Sequence, residues 1–232
     1  MSKLKRIRRI GLDELHVRSA QAVSSFLERR GWSGLTKLPT DQGFFELLDD
    51  SQISVESDSS EALMGHFQSR SHPDFFSAFK DREGTVIELR RRWPNAAKSI
   101  IGKADRILAG RFDLLGLRDL RFGDPIDWQL EPVSGKRAPL VHWSRLNYLD
   151  AGVIGDKKIV WELNRHQYFT TLGQAYWLTG DECYAAAFAT HLVSWMDRNP
   201  PKLGINWASS LEWGFARSPG SGLSNFSKTQ RP

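Results

Sequence analysis

Apolar residues recur at helical spacing near the start of the chain, over residues 12–31. The positions that form this stripe are Leu12, Leu15, Ala22, Val23, Phe26 and Leu27. Such a stripe is typical of a helix that buries one face. Asp13 lies near its start, and Gly31 suits the left-handed residue that often follows a helix. The pattern predicts a short amphipathic helix.

Residues 33–72 have a different composition, rich in serine and acidic residues and poor in large apolar groups. We expect much of this stretch to be a mobile connection. Helical spacing returns over residues 73–110, where Pro94 suits a first helical turn and Gly110 suits a helix end. Residues 111–135 contain short apolar pieces separated by Gly, Asp and Pro, which indicates extended or looped chain.

Beyond residue 140 the pattern is densely helical. Apolar and aromatic residues repeat over residues 159–178 and again over 182–198. Between them, Gly180 suits a C-cap and Asp181 suits an N-cap. These features predict an αα-hairpin, which the run Asn199-Pro200-Pro201 ends.

A third helix is predicted to begin near Asn206 and to run to Arg217, whereas residues 218–232 have no period. One hairpin and part of a third helix leave apolar faces without partners, so the sequence looks unfinished. We predict a mainly α fold with an irregular N-terminal region. Its organisation is an N-terminal helix and mobile linker over 1–72, a helical domain over 73–217 and an irregular tail over 218–232.

Composition excludes several classes of protein. Of the 232 residues, 40% are hydrophobic and 25% are charged, which is the balance of a globular chain and not of a disordered or fibrous one. The single cysteine, Cys183, excludes an intramolecular disulfide and a multi-cysteine metal site. No apolar run reaches the roughly 20 residues that span a bilayer, so we expect no membrane insertion. The basic N-terminus lacks the apolar segment of a secretory signal.

Tryptophan content and net charge indicate the class of partner. The chain has nine tryptophans and a formal charge of +5. Indole rings bury large areas in protein cores, and they also stack on sugar rings, so a tryptophan-rich basic chain suits an acidic polysaccharide. The competing interpretation of the charge is an ordinary solvated surface.

Other chemistries have no supporting motif. The six histidines are dispersed, with no HxxxH pair, so we expect no metal site. A glycine-rich phosphate loop and a Gly-x-Ser-x-Gly nucleophile turn are both absent from the sequence. Only the mild positive charge favours nucleic acid, which is weak support. We therefore expect no cofactor and no nucleic-acid partner.

Residues 105–217 resemble the N-terminal domain of the heparinase II/III family of bacterial polysaccharide lyases. The resemblance rests on strings that occur in the family's order: RFDLLG at 111–116, DWQLEPVSGKRAPLVHW at 127–143, NYLD at 147–150, WELNRHQYFTTLGQAYWLTGDECYAAAF at 161–188 and NPPKLGINWASSLEWGFAR at 199–217. The block from Trp161 to Arg217 is the specific part. The resemblance implies a partial (α/α) toroid built from antiparallel helical hairpins.

The resemblance also implies β-elimination of a glycan that contains uronic acid. The proton next to the uronate carboxylate is weakly acidic while that carboxylate keeps its charge, so a site needs a group that neutralises the carboxylate, a base and an acid. Asn206, in GINW, is similar to the neutralising Asn of toroidal lyases. The alternative role for Asn206 is an N-cap of the helix that follows it.

The resemblance also implies substrate contacts for residues in the string WELNRHQ and near Asn206. His166 is the best candidate histidine, flanked by Arg165 and Asn164, although a structural role is equally open for it. Trp161 and Trp207 are candidates for lining the cleft, with core packing as the alternative. Arg217 is a candidate sugar contact, with a helical pair to Glu212 as the alternative.

Family members continue for several hundred residues that supply more of the toroid, a catalytic Tyr and His, and a β-sandwich, whereas the likeness here stops near Arg217. Codons for residues 219–223 can encode Trp-Ile-Trp-Ala in a shifted frame, which resembles the family's next segment. We therefore expect a frameshifted tail and a chain that is inactive by itself.

Two other functions stay open, a non-catalytic module that binds acidic glycans and a structural helical scaffold. Family members are typically periplasmic or secreted, and the sequence leaves compartment and oligomeric state open.

Overall fold

A computed structural model describes residues 12–34, 37, 40–46, 59–69 and 81–209. In these ranges the chain is mainly helical, as predicted. The α-helices are α1 (Leu12–Arg29), α2 (Asp41–Phe45), α3 (Ser60–Ser69), α4 (Arg82–Arg92), α5 (Pro94–Leu108), α6 (Ala151–Ile154), α7 (Lys157–Asn164), α8 (Tyr168–Thr179) and α9 (Glu182–Arg198). The partial (α/α) toroid stays a prediction.

Four short strands and two 3-10 turns complete the described elements. Strands β1 (Phe112–Leu114) and β2 (Leu117–Leu120) pair antiparallel, with Phe112 opposite Leu120. Strands β3 (Leu130–Glu131) and β4 (Lys136–Arg137) form a second antiparallel pair. The 3-10 turns span Trp143–Arg145 and Ile205–Trp207. Strands β1 to β3 therefore lie in the stretch 111–135 that the sequence predicts as extended or looped, and β4 follows directly after it.

Helix ends follow the predicted capping chemistry at several places. Pro94 occupies the first turn of α5, and Gly110 follows its end at φ +68°. Gly180 is left-handed at the end of α8, and the Asp181 carboxylate accepts a hydrogen bond from the Cys183 amide at the start of α9. Helices α8 and α9 pack against each other and make the predicted αα-hairpin. Gly31 follows α1 with φ +70°.

Two helices lie in the serine-rich stretch for which the sequence predicts a mobile connection. In α2, the Thr40 hydroxyl caps the Gly43 amide, and before α3 the Ser59 hydroxyl accepts from the Ala62 amide. Local capping by hydroxyl side chains, and not an apolar stripe, marks these two helix starts, which is why the hydrophobic pattern does not show them.

The segment 159–178 is not one continuous helix, contrary to the prediction. Helix α7 ends at Asn164 and α8 begins at Tyr168, because His166 between them has φ +57°, in the left-handed region. The third helix predicted from Asn206 begins as the 3-10 turn Ile205–Trp207. Residues 210–217 of that prediction lie outside the described residues.

The main core lies between α5, the β1–β2 pair, α7, α8 and α9. Its fully buried large side chains include Phe112, Phe122, Trp128, Leu163 and Leu172. A second, smaller core contains Ala138, Leu146, Ile154, Val160 and Ile205. Helix α7 contributes to both cores, with Leu163 in the main core and Val160 in the smaller one.

Helix α4 is attached to the end of α8 by arginines. Arg82 donates to the carbonyls of Trp177 and Tyr176 at 2.9 and 3.1 Å, and Arg90 donates to the carbonyl of Leu178 at 2.8 Å. Carbonyls in the last turn of a helix have no partner inside the helix, and cations there also favour its dipole. These contacts stabilise the C-terminal end of α8.

Candidate functional site

The loop between α9 and the 3-10 turn Ile205–Trp207 carries Asn206 and is tied to a second loop. An isolated antiparallel bridge joins Leu203 to His142, and the Gly204 amide donates to the Val141 carbonyl at 2.8 Å. Gly204 itself has φ +83°, and a Cβ built there would lie 2.8 Å from Gln129 Oε1. Glycine is therefore required at the point where the chain turns into the candidate motif.

Four buried carboxamides meet beneath this loop, and we call them the carboxamide cluster: Gln129, Asn164, Asn199 and Asn206. All four side chains belong to residues that are 5% exposed or less. They come from the β2–β3 connection, the end of α7, the end of α9 and the 3-10 turn respectively. The cluster therefore joins four separate parts of the chain at one point.

Hydrogen bonds run through the whole cluster. Asn199 Oδ1 accepts from Asn206 Nδ2 at 2.7 Å and from Gln129 Nε2 at 2.8 Å. Asn164 Oδ1 accepts from Asn206 Nδ2 at 2.9 Å and from the Trp195 indole at 2.8 Å. Gln129 Oε1 accepts from the Ile205 amide at 3.3 Å. Buried hydrogen bonds of this kind hold the groups that make them in one orientation.

Asn206, the candidate neutraliser, uses both of its side-chain N–H groups in these bonds. Its residue is 2% exposed, and its Oδ1 has no hydrogen-bond partner among the described residues. In the alternative role of an N-cap, this side chain would accept a hydrogen bond from a backbone N–H. It makes no such bond in the described part of the chain. A carboxylate can reach the N–H groups only by replacing Asn164 or Asn199 as the acceptor.

His166 lies in the aromatic core next to the cluster. Its ring stacks on Phe169 with centroids 4.8 Å apart and meets the edges of Trp195 and Trp128 at 5.1 and 5.7 Å. The residue is 7% exposed, and Nε2 has no partner among the described residues. Burial, together with the charge of His191, lowers the pKa of His166 to about 4. The imidazole is therefore neutral at pH 7.

The other candidates surround the same point at different depths. Asn164 belongs to the cluster, and Arg165 Nη1 donates to Glu162 Oε2 at 2.9 Å. The half-buried Trp161 donates its indole N–H to the Ile205 carbonyl at 3.1 Å, and Trp207 is half-buried at the end of the 3-10 turn. Arg217 and Glu212 lie outside the described residues. The structure therefore brings Asn164, Asn206 and Trp161 together, with His166 beside them.

The tyrosine hydroxyls in and around the main core already make hydrogen bonds to other side chains. Tyr168 bonds to His191 Nδ1 at 3.2 Å, Tyr176 donates to Glu182 and Tyr184 donates to Asp105 Oδ1 at 2.7 Å. Burial raises the pKa of Tyr168, and burial and the Asp105 carboxylate raise the pKa of Tyr184. The Tyr168 and Tyr184 hydroxyls therefore stay protonated at neutral pH.

Two members of the cluster, Gln129 and Asn199, are not among the residues that the sequence nominates. Asn199 stands in the Asn-Pro-Pro run that ends α9, and Gln129 stands in the irregular string DWQLEP. The signal that could have identified them is their position inside two of the strings that carry the resemblance.

The described residues form neither a metal site nor a membrane-spanning helix. Over the described ranges, no three His, Cys, Asp or Glu side chains come close enough to hold a metal ion. None of the helices described is long and apolar enough to cross a membrane.

Comparison with known proteins gives one family and one curated relative. The family described as "Heparinase II/III N-terminus" matches residues 52–216, so the match starts earlier than the resemblance at 105. A protein named "Heparin-sulfate lyase" from Bacteroides stercoris is 24% identical over 159 residues. The alignment covers 64% of this chain but 18% of that relative. No solved structure matches the chain.

Proposed function

The chain belongs to the heparinase II/III family, matching its N-terminal domain, and on that premise we propose that it is the N-terminal part of a polysaccharide lyase that cleaves uronic-acid-containing glycans by β-elimination. The family and the name of the curated lyase relative support a polysaccharide lyase with a glycosaminoglycan substrate. Because the chain spans 18% of that relative, the reaction of the complete enzyme is part of the proposal.

The observation that carries the proposal is the carboxamide cluster around Asn206. In β-elimination the uronate carboxylate must lose the effect of its charge before the neighbouring proton can leave, and N–H donors aimed at its oxygens supply that stabilisation. Asn206 has two such N–H groups, fixed in one orientation by Asn164 and Asn199. A carboxylate is a stronger acceptor than a carboxamide oxygen, so it takes over one N–H in place of Asn164 or Asn199.

The chain by itself binds the glycan and does not cleave it. The Tyr168 and Tyr184 hydroxyls have raised pKa values and are hydrogen-bonded in the core, and His166 is a weak base with a pKa of about 4. None of these three groups can remove a weakly acidic proton at neutral pH. The base and the acid come from elsewhere in the complete enzyme, and this chain needs no cofactor for its part.

The test is binding of a heparan sulfate oligosaccharide to the purified chain by calorimetry, with the ultraviolet absorbance of the unsaturated uronate product followed in parallel. Asn206→Ala should weaken binding about tenfold, the value of one charge-assisted hydrogen bond. Asn147→Ala, at an exposed asparagine in the string NYLD, is the matched control and should bind like the wild type. No product should form.

The outcomes separate the competing functions. Wild-type affinity in a folded Asn206→Ala variant would show that Asn206 does not bind the carboxylate. Equal binding of acidic glycans with and without uronate would favour the non-catalytic module. Self-association without affinity for any glycan would favour the helical scaffold. Thermal unfolding of each variant separates loss of binding from loss of fold.

A further inference from the structure

The C-terminal end of α1 is fixed to the loops that precede Asn206 through one buried carboxylate. Glu28 is 6% exposed, and its Oε2 accepts from the Trp143 indole at 3.0 Å and lies 3.2 Å from His142 Nε2. Its Oε1 lies 3.6 Å from Lys202 Nζ. Burial opposes ionisation of Glu28, but the Trp143 hydrogen bond and the Lys202 charge outweigh it and lower its pKa. The carboxylate is therefore charged and already fully engaged.

A cleft of about 460 Å³ lies beside this contact, and we call it the α1 cleft. Its charged lining is Arg29, Arg145 and Lys202 against the single carboxylate of Glu28. Arg29 donates to the Ser144 hydroxyl at 2.9 Å. Within the part of the chain that the structure describes, neither Arg29 nor Arg145 has a carboxylate partner. Three cations thus face one carboxylate that Trp143, His142 and Lys202 already bind.

The remaining walls of the α1 cleft suit a sugar ring. Leu140, Leu203 and the two prolines Pro200 and Pro201 are apolar, and the proline rings hold this backbone stiffly. A guanidinium binds carboxylate or sulfate through two parallel N–H bonds, which gives both affinity and direction. The chemistry of the lining therefore matches an anionic group carried on a sugar.

We infer that the α1 cleft is a subsite for a sulfated or carboxylated sugar of the glycan chain, with Arg29 and Arg145 as its anion-binding groups. The inference rests on the proposed function. Lys202 precedes Asn206 by four residues, which span at most about 14 Å of extended chain, so one oligosaccharide can contact both places. Helix α1 lies before residue 52, where the family match starts, so Arg29 is outside the matched region, whereas Arg145 and Lys202 are inside it.

The test compares two double variants of the full chain by calorimetry with a short heparin-derived oligosaccharide. Arg29→Ala with Arg145→Ala removes the two guanidinium groups of the α1 cleft. Lys98→Ala with Arg121→Ala removes the same charge from exposed residues that do not line it. We expect about tenfold weaker binding for the first pair and less than about threefold for the second, since screened distant charges contribute little.

Two further measurements keep the result interpretable. Ser144→Ala removes the hydrogen-bond partner of Arg29 but keeps both guanidinium charges. This variant should therefore retain most of the affinity for the oligosaccharide. Inorganic sulfate is titrated in place of the oligosaccharide. Sulfate binding as strong as that of the oligosaccharide, lost equally in the cleft variant, would show a free-anion site and overturn the glycan assignment.

Failure of the inference and failure of the proposed function give different results. Equal loss of oligosaccharide affinity in both double variants would overturn the subsite and leave the lyase proposal intact. Binding that depends on Arg29 and Arg145 but shows no preference for uronate over other anionic sugars would keep the subsite and overturn the lyase proposal.

Discussion

Substitution of Asn199 by alanine removes the centre of the carboxamide cluster. The Asn199 side chain accepts from Gln129 Nε2 and Asn206 Nδ2 and donates to the Trp195 carbonyl at 2.9 Å. Alanine leaves two N–H donors and one carbonyl without these partners. Gln129, Asn199 and Asn206 are each 3% exposed or less, so bulk water does not replace the lost bonds directly.

The expected loss of stability follows from those three groups. A buried polar group left without its partner costs about 1–3 kcal/mol. The space vacated by the side chain is polar and can admit a water molecule that restores part of the bonding. We therefore expect Asn199→Ala to lower the free energy of unfolding by about 3 kcal/mol, and to lower the Tm by about 6–12 °C for a chain of this size.

Urea denaturation followed by tryptophan fluorescence measures this loss, because Trp195 and Trp128 both lie beside the cluster. The comparison is Asn147→Ala, which should stay within about 0.5 kcal/mol of the wild type, as exposed substitutions usually do. The slope of unfolding free energy against urea should be the same for all three proteins. A loss below about 1 kcal/mol for Asn199→Ala would refute the argument that the buried hydrogen bonds of Asn199 stabilise the fold.

Two other predictions concern His166 and Gly204, which both have a left-handed backbone. The pKa of His166 is about 4 in the fold against about 6.5 unfolded, so the unfolded chain binds more protons and stability falls as the pH drops from 6.5 to 4, by about 3 kcal/mol in all. His166→Asn tolerates φ +57° and should flatten unfolding free energy against pH over that interval; an unchanged slope would contradict the assignment. Gly204→Ala should cost about 2 kcal/mol or more, since the residue has φ +83° and the new Cβ would lie 2.8 Å from Gln129 Oε1. Gly102→Ala, in the middle of α5 with open space around it, should instead stabilise by about 0.5–1 kcal/mol, and equal effects of the two glycine variants in thermal melts would contradict the backbone argument.

Local signals predicted much of the helical architecture. The period of apolar residues in α5 and α9 and the capping residues Pro94, Gly180 and Asp181 are all short-range features, and the structure confirms them. Helix α1 also forms as predicted, but the described residues of its apolar stripe are exposed, and its buried residues are Ser25 and Glu28. His166 stands in the polar run Asn-Arg-His-Gln at 164–167, and no Gly or Pro in that run marks the break between the two helices. Its left-handed backbone is set by long-range packing of the imidazole against Trp195 and Trp128.

The candidate site was predictable only in part for the same reason. Asn164 and Asn206 stand inside two conspicuous strings, and the structure joins them at 2.9 Å. Gln129 and Asn199 are separated by 70 residues and contribute through a hydrogen bond that no local pattern encodes. The same holds for Glu28, whose partners lie 114 and 115 residues further along the chain. Asn206 could be nominated by motif, whereas the residues that orient it required the fold.

The loop from Asn199 to Asn206 is held by different interactions at its two ends, and the two ends contribute differently to binding of the glycan. At Asn206, a substrate carboxylate forms a charge-assisted hydrogen bond of about 1.5–3 kcal/mol in place of a neutral one of about 1 kcal/mol, so the net gain is about 1–1.5 kcal/mol, or about tenfold in affinity. At the α1 cleft, Arg29 and Arg145 bind an anion without breaking any bond to a carboxylate. The α1 cleft therefore adds binding energy at a distance from the reacting centre, and this energy offsets the opening of the carboxamide cluster, where the charge of the transition state develops.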